Sequence, residues 1–513
     1  MTFSPATLPW FARHELSLHW RDWLSMMTAG KSRRRRTLIT ISVVVAIGAH
    51  WLAASVLSPW IDNGPVPDKA TFVFVFGSLL LAFSLMLSQA MESVTRAYYA
   101  RSDLDLILSS PISPRKLFAV RTSAVAVSIT VMPCLFAGPF INVLIARDGL
   151  HWLAAYGVIV SLGAFATALG VLITILLFRM AGAKKTRLAS QILAAVIGAA
   201  FIIGIQAIAV IYYGSLSRAS VLQSSRFIEW FPNVDSALWI VARATMGDFM
   251  NLMPLMAICL GCFAGIVLLT SASFGDLAIA AAGVSNTSKS HQRHLGKFKG
   301  LSARKALRSK EWKLLARDPW LVSQSVMQIL YLLPPALLLW SHYGESSNIL
   351  VVVVPVLVMA SGQLAGGLAW LAISGEDAPD LVNTAPLGKW SVLVAKIEAI
   401  ISLILLIVAP LLVGIALMSV TASLVTAAGV LLAASSATAI QLWFRSQSKR
   451  AMFRRRQVAS RTATISEAVV SILWAASATL LLVNPLFGVV TSCLTLGLLF
   501  FVWVLRPEKS ESR

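Results

Sequence analysis

Long apolar runs alternate with short polar segments along almost the whole chain, beginning near residue 37. Because a helix needs about 20 mostly apolar residues to cross a bilayer, each long run predicts one membrane-spanning helix. The predicted spans lie at roughly 37–58, 70–92, 118–146, 152–178, 189–213, 252–272, 321–340, 349–373, 390–418, 421–443, 463–483 and 485–505. The pattern therefore predicts an all-α polytopic membrane protein with twelve transmembrane helices.

Two polar motifs between these runs each occur twice at matched spacing. One is a glutamate six positions before an Arg-Asp pair, and the other is an aspartate six positions before a proline. The copies are Glu15, Arg21 and Asp22 with Glu311, Arg317 and Asp318, and Asp105 and Pro111 with Asp380 and Pro386. Arg121 and Lys396 are separated by the same number of positions as the two copies of the second motif. These repeats predict two pseudo-equivalent halves, an arrangement common among transporters.

The predicted halves are 1–282 and 311–513, with six spans each and a basic, flexible linker at 283–310 between them. At 8–30, tryptophans at helical spacing lie opposite charged residues, which predicts an amphipathic lead-in helix on the membrane surface. The second copy of the lead-in helix begins the second half. On the outer side, 214–250 is long for a simple turn and carries aromatic residues typical of the membrane interface.

Short cytoplasmic helices are predicted at 102–110 and 377–385, each between the second and third span of its half. Asp103 or Ser102 can cap the first of them, Asp105 lies in its first turn, and Pro111 ends it. Such segments either only orient the neighbouring spans or form two docking points for a pair of matched partner subunits. The duplication favours docking.

Composition and charge agree with a membrane location. Charged residues make up 13% of the chain and hydrophobic residues 57%, with a mean hydropathy of +0.78, whereas soluble domains carry about 25% charged residues. A net charge of +21 is also typical of proteins that bind nucleic acids. Here, however, the basic residues cluster at the ends of spans, as the positive-inside rule expects. The sequence therefore predicts a lipid bilayer, and no nucleic acid, as its surroundings.

The basic residues also predict the orientation of the spans. The alternating loops on one side hold nearly all of them, while the other side holds only Lys69, Arg147, Arg218, Arg226 and Arg243. Both termini are therefore expected to face the cytoplasm, in a bacterial-type cytoplasmic (inner) membrane.

Few polar side chains fall inside the predicted spans. Arg121, Lys396, Glu398 and Glu467 lie near cytoplasmic ends, where snorkelling to the interface is expected. The others are interpreted as interhelical hydrogen-bonding groups: His50, Gln206, Gln328, Gln363 and Gln441. The stretch from Gly362 to Gly366 predicts close helix packing. The sequence shows no catalytic cluster, metal-ligand set or phosphate-binding glycine loop, so no enzymatic activity and no bound cofactor are expected on this chain.

A family resemblance follows from the duplicated segments. The sequences RSDLDLILSSPISPRK and SGEDAPDLVNTAPLGK resemble the cytoplasmic coupling helices of permease subunits of type-2 ABC exporters, and KEWKLLARDPW resembles their amphipathic lead-in helix. The resemblance implies a permease with both six-span halves fused in one chain, and an external helical segment between spans five and six. One departure is that the second half lacks an equally long external segment.

The resemblance also implies a partner and a set of contact residues. ATP and Mg²⁺ would bind a separate ABC-type ATPase, expected in two copies. Its docking residues would be Asp103, Asp105, Pro111, Arg115, Glu376, Asp377, Asp380 and Pro386. The six residues of the two lead-in helices named above form a separate set of site residues. The alternatives are a twelve-span secondary transporter of the major facilitator type, or a membrane-embedded enzyme. The transported substrate is unknown, and the aliphatic spans favour a lipophilic or amphipathic one.

Overall fold

A computed structural model describes residues 13–14, 17, 21, 34–62, 68–99, 113–213, 225–271, 302–317, 330, 337, 348–374, 384, 386, 388–444 and 461–504. Within these ranges the secondary structure is helical and no strand occurs. Ten of the described helices are long and apolar enough to cross a membrane. The prediction of an all-α, multi-pass membrane protein is therefore confirmed.

The two further predicted spans are not among these ten helices. The predicted span 321–340 lies outside the described residues, apart from Leu330 and Leu337. The predicted span 189–213 overlaps a shorter apolar helix, Leu188–Ala200. Twelve spans in two pseudo-equivalent halves stay a prediction.

The chain divides into two compact units. Unit 1 comprises Met1–Ile202 and Ala219–Lys289, and unit 2 comprises Ile203–Arg218 and Ser290–Arg513. The described helices up to residue 271 are α1 (Arg34–Asp62), α2 (Lys69–Tyr99), α3 (Pro114–Arg147), α4 (Leu153–Tyr213), α5 (Ser225–Glu229), α6 (Ile240–Thr245) and α7 (Phe249–Ser271), with 3₁₀ turns at Leu150–Trp152 and Ala237–Trp239. The remaining ones are α8 (Ala303–Arg317), α9 (Asn348–Ser374), α10 (Lys389–Met418), α11 (Val420–Trp443), α12 (Arg461–Val483) and α13 (Pro485–Val504).

Small residues bring the helices of unit 1 together. A Cβ atom at Gly163 of α4 would lie 2.1 Å from the Oγ1 atom of Thr130 on α3, and one at Gly170 would lie 3.0 Å from the Cβ of Ala90 on α2. Close approach of this kind is the usual basis of helix association in membranes, because apolar side chains gain little by leaving lipid.

The loop predicted at 179–188 is replaced by a single break within α4. Gly182 has φ 71° and ψ 163°, a conformation that side chains disfavour and glycine tolerates. Thr186 donates from Oγ1 to the carbonyls of Leu177 at 3.0 Å and Gly182 at 2.8 Å, which satisfies carbonyl groups at the break. The helical conformation resumes directly after Gly182, so no longer loop is needed.

In unit 2, α9 packs against α11 and α12. A Cβ atom at Gly362 would lie 2.3 Å from the Oγ atom of Ser471, and one at Gly366 would lie 1.9 Å from the Cδ atom of Glu467. The predicted close packing of the Gly362–Gly366 stretch is therefore confirmed. It lets two polar side chains of α12 lie directly on the backbone of α9.

Candidate functional site

A buried ion pair joins α8 to the helices on either side of the second predicted docking segment. Glu311 of α8 is 1% exposed, and its Oε2 atom lies 3.1 Å from Nζ of Lys396 on α10. The same Nζ donates to the carbonyl of Ala372, near the end of α9, at 2.7 Å. Lys310 approaches the other oxygen of Glu311 at 3.5 Å. One ammonium group thus links three helices.

A second, more exposed ion cluster lies half a turn further along α10. Glu398 accepts hydrogen bonds from both Arg304 and Arg308 of α8, and the Nη2 atom of Arg308 lies 2.6 Å from Oε2. Two arginines one helical turn apart therefore hold one carboxylate. Together with Lys396, this cluster fixes the direction in which α8 lies on α10.

These contacts correct the expectation that Lys396 and Glu467 snorkel to the interface. Lys396 turns inward because the carboxylate of Glu311 and the carbonyl of Ala372 near the end of α9 supply it with partners. Glu467 is 8% exposed and accepts a hydrogen bond from Nε2 of Gln441 at 2.6 Å. The missing side chain at Gly366 leaves the space that this carboxyl group occupies.

Through Lys396, the ion pair connects the two helices that flank the second predicted docking segment, 377–385, in the sequence. That segment lies outside the described residues except for Thr384, which is helical and exposed. Pro386, just beyond it, is exposed at a bend. The predicted docking residues Glu376, Asp377 and Asp380 are also outside the described residues. The structure does describe the two flanking helices. They are joined through Ala372 of α9 and Lys396 of α10.

The corresponding part of unit 1 has a similar local backbone. Ser113, the N-cap of α3, has φ −65° and ψ 132°, and Gly388, the N-cap of α10, has φ −62° and ψ 132°. The two caps are separated by the same offset as Arg121 and Lys396, and Arg121 is 5% exposed. The repeat in the sequence therefore extends to the start of a helix and to a buried basic residue in its second turn.

Of the other predicted docking and lead-in-helix residues, the structure describes only three. Arg115 is exposed in the first turn of α3, and Arg21 is helical and exposed. Arg317 is the last residue of α8. The remaining predicted positions lie outside the described residues: Glu15, Asp22, Asp103, Asp105, Pro111 and Asp318.

A polar chain that links three helices of unit 1 bears out the interpretation of His50. Tyr156 donates to Oδ1 of Asn142 at 2.8 Å, and Nδ2 of Asn142 lies 3.2 Å from Nε2 of His50. The other ring nitrogen lies 2.8 Å from the carbonyl of Ala46. His50 and Gln441 therefore make interhelical hydrogen bonds as predicted, whereas Gln363 is exposed on α9.

The described part of the long segment 214–250 is folded around a buried tryptophan. Trp239 is 0% exposed and its indole stacks on Phe72 with ring centroids 5.8 Å apart. Its Nε1 atom donates to the carbonyl of Asn233 at 3.0 Å, and Arg243 lies over Phe72 at 6.0 Å. The segment is thereby attached to the first turns of α2. In the sequence, the aromatic residues were the feature that marked this segment as more than a simple turn.

No family model, no curated protein and no solved structure matches this chain.

Proposed function

We propose that the chain is the membrane-spanning permease of an ABC transporter, with export as its direction and separate ATPase subunits as its motor. The observation that carries the proposal is the linkage of Glu311, Lys396 and Ala372. It connects the lead-in helix α8 to both helices that flank a predicted docking segment. A force on that segment would reach α9 and α10 through a bonded junction.

In the proposed mechanism, ATP-driven closure of two ATPase subunits pushes on 102–110 and 377–385. The motion passes into α3 and α10, whose second turns carry the largely buried basic residues Arg121 and Lys396. Tilting of these helices then opens or alternates a path for the substrate. The buried ion pair keeps α8, α9 and α10 together during the movement, because separating its charges inside a low-dielectric region is costly.

The proposal is tested by reversing charge in the predicted docking helices. Asp105→Lys combined with Asp380→Lys is expected to abolish co-purification of a Walker-motif ATPase, identified by mass spectrometry, while the permease still elutes as one species. Asp235→Lys is the matched control, because Asp235 is exposed in the segment predicted to lie on the opposite side. Unchanged ATPase recovery with the double variant contradicts the docking assignment.

A secondary transporter is the second candidate, and Glu467 is the observation that favours it. Ion-coupled carriers place ionisable residues inside their helical bundles, and Glu467 is buried between α9, α11 and α12. A carrier would purify without an ATPase, and its uptake in vesicles would follow an imposed proton gradient. Glu467→Gln would remove that dependence. Under the permease proposal, the same variant leaves ATPase recovery unchanged.

A further inference from the structure

The face of α8 opposite Leu307 and Glu311 carries more positive charge than the acidic residues in the described part of the chain neutralise. On α8 and the adjoining turns of α10, only two carboxylates, Glu311 and Glu398, face the described basic side chains. Both are already engaged, one with Lys396 and Lys310 and the other with two arginines. The basic side chains in question are Arg304, Lys305, Arg308, Lys310, Lys313 and Lys396.

Lys305 and Lys313 supply the unneutralised charge. Both are exposed, and they lie on the side of α8 away from the buried residues Leu307 and Glu311. Neither forms an ion pair with any residue in the described part of the chain. At 1.5 Å of rise per residue, the two ammonium groups are attached about 12 Å apart along one helix.

The length of α10 places this face at the level of lipid headgroups. α10 has 30 residues and is therefore about 45 Å long, whereas the hydrocarbon core of a bilayer is about 30 Å thick. Residues 399–418 carry no charged side chain and suffice to cross that core. Lys396 and Glu398 then lie at its boundary, and the bonds of α8 to both residues place it at the same level.

We propose that the face of α8 formed by Lys305 and Lys313 binds the phosphate groups of anionic phospholipids. The charge complementarity is direct, because each basic residue near an anionic membrane surface adds to the attraction. The neighbouring Arg304 and Arg308 hold α8 at this level through Glu398. The inference concerns lipid recognition and does not depend on the proposed transport function.

A local probe tests the proposal in the full-length protein. A photoreactive amino acid replaces the exposed Ala306, next to Lys305, in nanodiscs that contain equal amounts of phosphatidylglycerol and phosphatidylcholine. The expected ratio of crosslinked phosphatidylglycerol to phosphatidylcholine is well above 1. It falls by about five-fold for each lysine removed in Lys305→Gln and Lys313→Gln, whereas Lys→Arg at both positions preserves it.

The control places the same probe at Val420, which is 65% exposed at the start of α11, where no basic residue is near in sequence. There the ratio is expected to be close to 1. A lipid crosslinking ratio near 1 at Ala306, or a ratio that does not change when both lysines are removed, overturns the proposal. An acidic protein partner would then be the ligand that this face favours. Loss of the enrichment on adding inorganic phosphate, but not sodium chloride of equal ionic strength, overturns the lipid as its ligand. The thermal midpoint of each variant verifies that it is folded.

Discussion

Breaking the buried ion pair from one side is expected to destabilise unit 2 far more than removing both partners. Glu311 is 1% exposed and Lys396 is 12% exposed, with 3.1 Å between their charged atoms. Removing one member of such a pair leaves an uncompensated charge in a buried place, which costs about 3–5 kcal/mol. Replacement of both by apolar side chains of similar size is close to neutral.

Each single variant leaves the remaining charged group with other partners. In Lys396→Met, the carboxylate of Glu311 keeps Lys310 at 3.5 Å, so the loss lies near the lower end of that range. In Glu311→Met, the ammonium group of Lys396 keeps the carbonyl of Ala372 among its partners, and the loss is expected within the same range. At about 2–4 °C per kcal/mol for a unit of this size, the expected decreases are roughly 6–20 °C.

The assay is the apparent melting midpoint of the detergent-purified protein, followed by size-exclusion chromatography after heating. All variants are heated at the same rate, because unfolding of such proteins is commonly irreversible. The double variant Glu311→Met with Lys396→Met is expected to recover most of the loss. If both single variants melt within about 2 °C of the wild type, or if their effects simply add in the double variant, the pair is not the buried junction described above.

Three further predictions concern other contacts of the same structure. The combination of Arg304→Gln and Arg308→Gln lowers the melting midpoint much less than Glu311→Met, and the difference from wild type disappears in high salt because the charges are exposed. Gly366→Ala destabilises by about 1–3 kcal/mol through overpacking, whereas the neighbouring Gly367→Ala, with nothing within 4 Å of the added Cβ, leaves stability unchanged or raises it. Trp239→Ala costs about 3–5 kcal/mol and is expected to expose the loop around residue 239 to protease, and an unchanged digestion pattern contradicts its role as the anchor of that segment.

The membrane-spanning helices were predictable because each depends on one continuous apolar stretch. All ten candidate spans of the structure overlap predicted ones. The break at Gly182 was not predictable as a single residue, since basic residues on both sides of it are equally typical of a loop. The helix continues there because Thr186 satisfies the backbone carbonyls locally.

The partners of the charged residues were harder to predict than the helices. Glu311 and Lys396 are 85 positions apart, and nothing in either local sequence identifies the other. The repeat marked both residues as notable, but hydropathy alone assigned Lys396 to the interface. Its inward direction depends on the crossing of three helices. The same holds for Glu467, whose place depends on the absence of a side chain at Gly366.

The most direct test of the proposed function is the stoichiometry of the complex purified from its native membrane. Native mass spectrometry of the full-length chain is expected to show one permease with two copies of one Walker-motif ATPase. Added ATP is expected to be hydrolysed by that complex and not by the permease alone. A purified chain that carries no ATPase, and whose transport in vesicles follows a proton gradient without ATP, would contradict the proposal and favour the secondary transporter.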